Sequence, residues 1–193
     1  MFRGQWVDVF IIQDYKWLWD YIKPDTTVID IGSHIGTMAF YFAMNPNVKK
    51  VLSYESNLFY ANMAEKYITM SPLKEKIELT KKAITTTGES RRLPKSIYGN
   101  DFLSYNALLG TLIESVKFNE VVQGRKNMVI KCDISGGEKS LFKDADLSKV
   151  YAIEIECHKY LDKEIISEFR GKGFKTGYLV KPHDGVSIIK AWR

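Results

Sequence analysis

The sequence of 193 residues is poor in the residues that form stabilising disulfide bonds or bind zinc. It has two cysteines, three histidines and five prolines. Cys132 and Cys157 are too few for a disulfide scaffold and lack the C-x-x-C spacing of a zinc site. We therefore expect a reducing compartment, a cytoplasmic protein and no metal site.

Long apolar runs and long charged runs are also missing. The most apolar early stretch, residues 6–22, contains three aspartates, a glutamine and a lysine, so it cannot span a bilayer. With 45% hydrophobic and 26% charged residues, the composition is that of a globular domain and excludes extensive disorder. The net charge is +5, and the basic residues occur in short doublets rather than in long runs. This mildly basic balance leaves RNA as an alternative partner.

Strand and helix patterns alternate along the first half of the chain. Helical spacing of apolar residues predicts an N-terminal amphipathic helix at about 5–22. After it we predict strands at 27–31, 51–54 and 77–84, with helices at 36–44 and 57–70 between them. This βαβαβ order favours a parallel sheet covered by helices on both faces.

The second half continues the same order after a looser region. Residues at about 88–127 are interpreted as a variable lid or insertion that includes a helix at 105–118. Strands are predicted at 128–133 and 150–156, with helices beginning near 137 and at 162–170. The segments 174–180 and 186–192 form a predicted hairpin that adds an antiparallel strand. No Gly-, Pro- or Ser-rich linker interrupts the chain, so we predict one α/β domain over residues 1–193.

The turn after the first predicted strand contains the first candidate binding motif. It reads D-x-G-x-x-x-G from Asp30 to Gly36. We expect Gly32 to allow a tight turn and close approach of a ligand, and Gly36 to let the next helix pack on the strand. A dinucleotide fingerprint needs G-x-G-x-x-G, and His34 occupies the place of a glycine. This disfavours a nicotinamide-dependent dehydrogenase.

Two carboxylates at neighbouring strand ends suggest which ligand this turn binds. Asp30 repels phosphate and attracts a cation such as an ammonium group, whereas Glu55 lies where a ribose-binding acid is expected. A ligand with an ammonium group, a ribose and no phosphate fits both, and S-adenosylmethionine has this composition. The alternatives are a dipole-stabilising role for Asp30 and a surface position for Glu55.

The residues that surround this turn resemble a known family. Residues 28–36 resemble motif I of the class I S-adenosylmethionine-dependent methyltransferases. Residues 130–138 are similar to the I-K-x-D-V-E-G-x-E signature of the FkbM-type methyltransferases, and residues 82–84 followed by Gly88 look like that family's segment after the third strand. Ser135 replaces the first glutamate of the signature.

The resemblance implies a Rossmann-like, doubly wound, seven-stranded sheet with a C-terminal antiparallel hairpin, which is the class I methyltransferase fold. It also implies which residues bind the cofactor S-adenosyl-L-methionine. Those residues are Asp30, Gly32, Ser33, His34, Gly36, Glu55, Ser56, Ala83, Ile84 and Asp133.

Asp133 is also the first candidate for a catalytic base. It ends the fourth predicted strand, so its carboxylate should face the same crevice as Gly32 and orient or deprotonate an acceptor, with Glu138 one helical turn away as partner. Alternatively, Asp133 caps the helix that begins near Gly137. Glu154, Glu156 and His158 are a weaker candidate for a divalent metal site, and we expect no obligatory metal.

The sequence thus predicts a methyltransferase that uses S-adenosylmethionine and methylates an oxygen or nitrogen of a small molecule or sugar. Two alternatives remain. An RNA methyltransferase is favoured by the basic charge balance, and a non-catalytic S-adenosylmethionine-binding module is favoured by Ser135.

Overall fold

The computed structural model describes residues 15–93, 111–134, 137–157, 162–180 and 187–193. The strands within these residues are β1 Thr26–Ile31, β2 Val48–Tyr54, β3 Ile77–Thr80, β4 Ala83–Thr85, β5 Arg91–Leu93, β6 Thr111–Ile113, β7 Ser115–Lys117, β8 Met128–Cys132, β9 Val150–Cys157, β10 Lys175–Val180 and β11 Ser187–Trp192. The α-helices are α1 Lys16–Asp20, α2 Thr37–Ala43, α3 Leu58–Met70, α4 Phe118–Val122, α5 Glu138–Lys143 and α6 Asp162–Gly171. A 3₁₀ turn, Lys74–Lys76, precedes β3.

Seven of the strands form one sheet in the order β10-β11-β9-β8-β1-β2-β3. The pairs among β9, β8, β1, β2 and β3 are parallel, whereas β11 is antiparallel to both β9 and β10. The predicted α/β class, the mostly parallel sheet and the antiparallel C-terminal pair are confirmed.

Helices cover both faces of the sheet because its central strands are apolar on both sides. In β1, Val28 belongs to one core and Ile29 to the other. The first face packs against α1, α2 and α3, which contribute buried residues such as Leu18, Phe42 and Ala64. The opposite face packs against α4, α5 and α6. The sheet is therefore the middle of three layers.

Two predicted elements are wrong. The third strand was predicted as 77–84, but β3 ends at Thr80 and β4 pairs with β7 in a separate two-stranded sheet. Lys81 and Lys82 separate the two strands and form ion pairs with Glu65 and Glu114 at the surface.

The helix predicted at 105–118 is contradicted over 111–117, where the chain forms β6 and β7. Pairing with β5 and β4 overrides the local helical spacing there, and a helix begins only at Phe118. Residues 94–110 of the predicted lid lie outside the described residues. So do residues 5–14 of the predicted N-terminal helix, whose last turns correspond to α1.

Among the described residues, no helix combines the length and apolar character needed to cross a membrane.

Candidate functional site

The carboxyl ends of β1, β2 and β8 meet at one edge of the sheet. Ile31 is aligned with Tyr54 on one side and with Cys132 on the other. The next residue of each strand is therefore Gly32, Glu55 or Asp133, so the structure brings these three predicted residues to neighbouring positions. From β1 the chain continues to β2 on one side, whereas the strand on the other side of β1 is β8. The strand order therefore reverses at β1, and in open α/β sheets ligands bind at the carboxyl end of the strands where this reversal occurs.

Gly32 is required by its contact with the end of β8. Its φ is +77°, and a Cβ built on it would lie 1.8 Å from the carbonyl oxygen of Asp133. The Asp133 N–H in turn donates to the Ile31 carbonyl at 3.0 Å. We expected the glycine to make room for a ligand, but the backbone of β8 occupies the side where a Cβ would point.

Gly36 precedes α2 with a φ of +87°. A Cβ at this position would lie 3.4 Å from the Cβ of Ala64, which is an ordinary contact distance, so the positive φ rather than a lack of space favours glycine here. The nearest atoms belong to α2 and α3 and not to the strand that we predicted as its partner.

Asp30 is fully buried, and a protein cation is its partner. Its Oδ1 lies 3.2 Å from Nζ of Lys131, and Ser53 Oγ donates to its Oδ2 at 3.4 Å. Burial lowers the pKa of Lys131, but the charges of Asp30 and Asp133 outweigh this effect and hold that pKa above its ordinary value. Asp30 therefore already has a cation of the protein as its partner, and its attraction for the ammonium group of a ligand stays a prediction.

Lys131, the partner of Asp30, was not among the site residues predicted from the sequence. It lies in β8 between Ile130 and Cys132, and all five residues of this strand are buried. A lysine inside an otherwise apolar strand was the available signal, since buried lysines are rare unless they are paired.

Glu55 links the turn after β1 to the segment before α3. Its side chain is buried, its Oε2 accepts from the His34 N–H at 2.7 Å and its Oε1 accepts from the Asn57 N–H at 2.7 Å. Burial raises the pKa of Glu55, and these two N–H donors oppose the shift. Each carboxylate oxygen keeps a second lone pair for a ligand hydroxyl. The alternative of an exposed surface acid is wrong.

Two buried hydroxyls lie next to Gly32 and Gly36. Within the described part of the chain, neither Ser33 Oγ nor Thr37 Oγ1 has a hydrogen-bond partner. Each side chain is nearly inaccessible. An unsatisfied buried hydroxyl costs about 1–3 kcal/mol, which a polar ligand atom at this turn would offset.

His34 adopts a left-handed backbone conformation at the centre of the turn. Its φ is +51°, and its ring centroid lies 3.7 Å from that of Tyr60. Burial, followed by the charge of Lys131, lowers the pKa of His34 from 6.5 to about 4. The ring is therefore neutral near pH 7.

Acidification from about pH 6.5 towards pH 4 should destabilise the folded state through His34. In this range the unfolded chain protonates the imidazole and the folded chain does not, so stability falls as the pH falls. His34→Asn removes the titrating ring, and asparagine tolerates the left-handed conformation. Urea unfolding at pH 7 and pH 4.5 should show a smaller loss of stability in the variant. An equal loss in both proteins would assign the pH dependence to other groups.

Asp133 is half-buried at the mouth of the site. The N-cap of α5 is Gly137, so Asp133 does not occupy the cap position that was its alternative role. Tyr15 is a further neighbour that sequence reasoning missed. Burial, followed by the negative charges of Asp133 and Glu156, raises the pKa of the Tyr15 phenol well above its ordinary value. Burial and these two negative charges therefore keep the phenol neutral.

Glu138, the predicted partner of Asp133, is fully buried in the first turn of α5. Its charge contributes to the raised pKa of the Cys132 thiol, after burial, and Cys132 belongs to the core that packs against α4, α5 and α6. This position favours a structural role, and assistance to Asp133 stays a prediction.

The other predicted residues lie directly after Glu55 and in β4, which belongs to a separate two-stranded sheet. Ser56 follows Glu55 and is half-buried, and the Ala83 N–H donates to the Glu114 carbonyl. Ile84 is buried in the core that packs against α4, α5 and α6, so its side chain has a packing role.

Glu154 and Glu156 lie in β9 on one face, as period 2 predicts. Glu154 is fully buried and lies 3.8 Å from Nζ of Lys190, whereas Glu156 is half-buried. His158, the third member of the candidate metal site, lies outside the described residues. Across the residues that the structure describes, no three His, Cys, Asp or Glu side chains form a group that could hold a metal ion.

Comparison with known proteins identifies the fold. No protein-family model and no curated protein sequence matches the chain. The solved structure of methyltransferase FkbM from Methylobacillus flagellatus KT is similar with a TM-score of 0.59 and 12% identity, over 88% of this chain and 44% of that protein. A SAM-dependent O-methyltransferase from Thermotoga maritima gives a TM-score of 0.56 and 13% identity, over 94% and 64%.

A third solved structure covers nearly the whole of both chains. An rRNA methylase from Streptococcus thermophilus matches with a TM-score of 0.56 and 8% identity, over 94% of each chain. At these identities the likeness concerns architecture, and the chain has the Rossmann-like fold of class I methyltransferases.

Proposed function

We propose that the protein is an S-adenosylmethionine-dependent methyltransferase that methylates an oxygen or nitrogen of a small molecule or sugar. The observation that carries this proposal is the position of Glu55. Its carboxylate ends β2, is held by the N–H groups of His34 and Asn57, and lies beside the turn after β1 in a class I methyltransferase fold. A carboxylate fixed in this way is suited to bind the two hydroxyls of a ribose.

The residues at this edge fit the cofactor in their donor and acceptor groups. Glu55 would accept from the ribose hydroxyls, and Ser33, His34, Ser56 and Ala83 are the further residues that we propose to hold the cofactor. When bound, the cofactor supplies a methyl group on a sulfonium, which is already a strong electrophile.

The protein's own part of the reaction is alignment and proton removal. Holding an acceptor in line contributes about 7–11 kcal/mol, and a general base adds about 10²- to 10⁴-fold. Asp133 is half-buried next to Gly32, so it can orient an acceptor and accept its proton.

Calorimetry tests the cofactor assignment. We expect the protein to bind S-adenosylmethionine and S-adenosylhomocysteine, and to bind NAD far more weakly, because the turn lacks the middle glycine of a dinucleotide fingerprint. NAD binding as tight as that of S-adenosylmethionine would contradict the proposal.

Glu55→Ala should weaken S-adenosylmethionine binding by about 1.5–3 kcal/mol, because charged hydrogen bonds to the ribose are lost. The same change leaves the His34 and Asn57 N–H groups without their acceptor, so the melting temperature should fall as well. Calorimetry well below that temperature separates the two effects. Glu65→Ala is a matched control, since this glutamate pairs with Lys81 at the surface of α3. Unchanged affinity in Glu55→Ala would exclude Glu55 from the site.

We further propose the FkbM-type family for this chain. The proposal rests on residues 130–138, whose lysine and aspartate lie in and directly after β8, and on the similarity to one FkbM structure. Ser135, where the signature has a glutamate, lies outside the described residues.

An RNA acceptor is the second candidate, supported by the net charge of +5 and by the similarity to an rRNA methylase. The two acceptor classes differ in their response to salt. RNA binding should weaken steeply between 50 and 200 mM salt, whereas turnover of a neutral sugar should change little. Incubation with methyl-labelled S-adenosylmethionine and both acceptor classes at each salt concentration separates them. Binding of the cofactor with no labelled product would favour a non-catalytic module.

A further inference from the structure

A row of polar and charged side chains crosses the sheet just below the candidate site. Adjacent strands align Ser53 with Asp30, Asp30 with Lys131, Lys131 with Glu154, and Glu154 with Lys190. The charges alternate in sign from Asp30 onwards, and the first three charged side chains are at most 3% exposed. Burial of so many ions is costly, and apolar replacement of a buried ion pair is often neutral or stabilising. Stability alone therefore does not account for this row.

The ammonium group of Lys131 contacts the end of β1 and the turn that follows it. Its Nζ donates to the carbonyl oxygen of Gly32 at 2.7 Å and to that of Ile31 at 3.4 Å, and it lies 3.2 Å from the Asp30 carboxylate. An ammonium has three donors, and these three acceptors all belong to consecutive residues. Lys131 thus links β8 to the start of the turn.

The same turn is held from its other side by β2. The N–H groups of Gly32 and Ser33 donate to the Tyr54 carbonyl at 2.9 and 3.1 Å, and the His34 N–H donates to Glu55. The peptide group between Gly32 and Ser33 is therefore bound at its oxygen by Lys131 and at its N–H by Tyr54. Two fixed ends determine the plane of this peptide.

We propose that Lys131 is a positioning residue for cofactor binding, because its bond to the Gly32 carbonyl sets the orientation of the turn at Ser33 and His34. This inference rests on the proposed function and adds a residue that touches the turn rather than the cofactor. Lys131 also compensates the charge of Asp30, so a single substitution would mix two effects.

The double variant Asp30→Asn/Lys131→Met separates charge compensation from the hydrogen bond to Gly32. It removes both charges, so no buried charge stays uncompensated between these two residues, and it also removes the donor to the Gly32 carbonyl. We expect its melting temperature to stay within about 5 °C of the wild type, and its affinity for S-adenosylmethionine to fall by about tenfold or more. Lys190→Met is the matched control. It removes a cation from the same row without a contact to the turn, so its affinity should stay within about twofold. Should the methionine version not fold, Asp30→Asn/Lys131→Leu, which also lacks a side-chain donor, is expected to give the same result.

Amide hydrogen exchange provides a readout that needs no ligand. In the double variant, the Gly32 and Ser33 amides should exchange about tenfold faster, while the Ile29 amide within β1 should not change. Wild-type affinity together with wild-type exchange at the turn would overturn the proposal and leave Lys131 with charge compensation alone. If the wild-type protein binds no S-adenosylmethionine, the proposed function fails, and the exchange rates still decide whether Lys131 holds the turn.

Discussion

Asp133→Asn is expected to lower the rate of methyl transfer by about two to four orders of magnitude, with cofactor affinity changed by no more than a few-fold. The structure places Asp133 directly after β8, half-buried, with its backbone carbonyl against Gly32. Asparagine keeps the shape of the side chain and loses the ability to accept a proton. Single-turnover kinetics with an identified acceptor measure the rate, and calorimetry measures the affinity.

Glu156→Gln is the matched comparison for this variant. Glu156 is also half-buried, and its charge also raises the pKa of the Tyr15 phenol, so it is the competing candidate for the base. If Asp133→Asn keeps the wild-type rate and Glu156→Gln loses it, the base lies on β9. If neither changes the rate, methyl transfer depends on alignment of the acceptor alone.

Gly32→Ala is expected to abolish measurable cofactor binding and to lower the free energy of unfolding by about 2–4 kcal/mol. A methyl group at this position would lie 1.8 Å from the Asp133 carbonyl oxygen, which is backbone and cannot turn away. The turn and the end of β8 would have to separate, and with them the residues proposed to hold the cofactor and the acceptor. Urea unfolding and calorimetry measure the two effects.

Gly124→Ala is the control for backbone conformation. Gly124 also has a positive φ, +74°, but nothing lies within 4 Å of the position of its Cβ. This variant should therefore show only the conformational cost of about 1–2 kcal/mol and keep its cofactor affinity. A Gly32→Ala protein that behaves like Gly124→Ala would show that the close approach to β8 is not needed.

Much of the fold could be predicted because the sequence pattern is local. The β-branched segments at 27–31 and 128–132 and the apolar periodicity between them correspond to strands and helices in the structure. The order of these elements, with a crossover between each pair of strands, was enough to predict a parallel sheet. The wrong elements, at 77–84 and 105–118, lie where strands outside the main sheet pair with each other, and such pairing depends on partners distant in sequence.

The candidate site shows the same difference between features set by local sequence and features set by distant contacts. The sequence alone predicts that a glycine-containing turn follows β1 and that Glu55 and Asp133 directly follow strands, because strand ends are local features and parallel strands share one edge. Tertiary structure decided which groups those side chains meet. Asp30 pairs with Lys131, Gly32 contacts the backbone of β8, and Glu55 accepts from His34 and Asn57. These contacts depend on the register between strands about 100 residues apart, which local propensity does not specify.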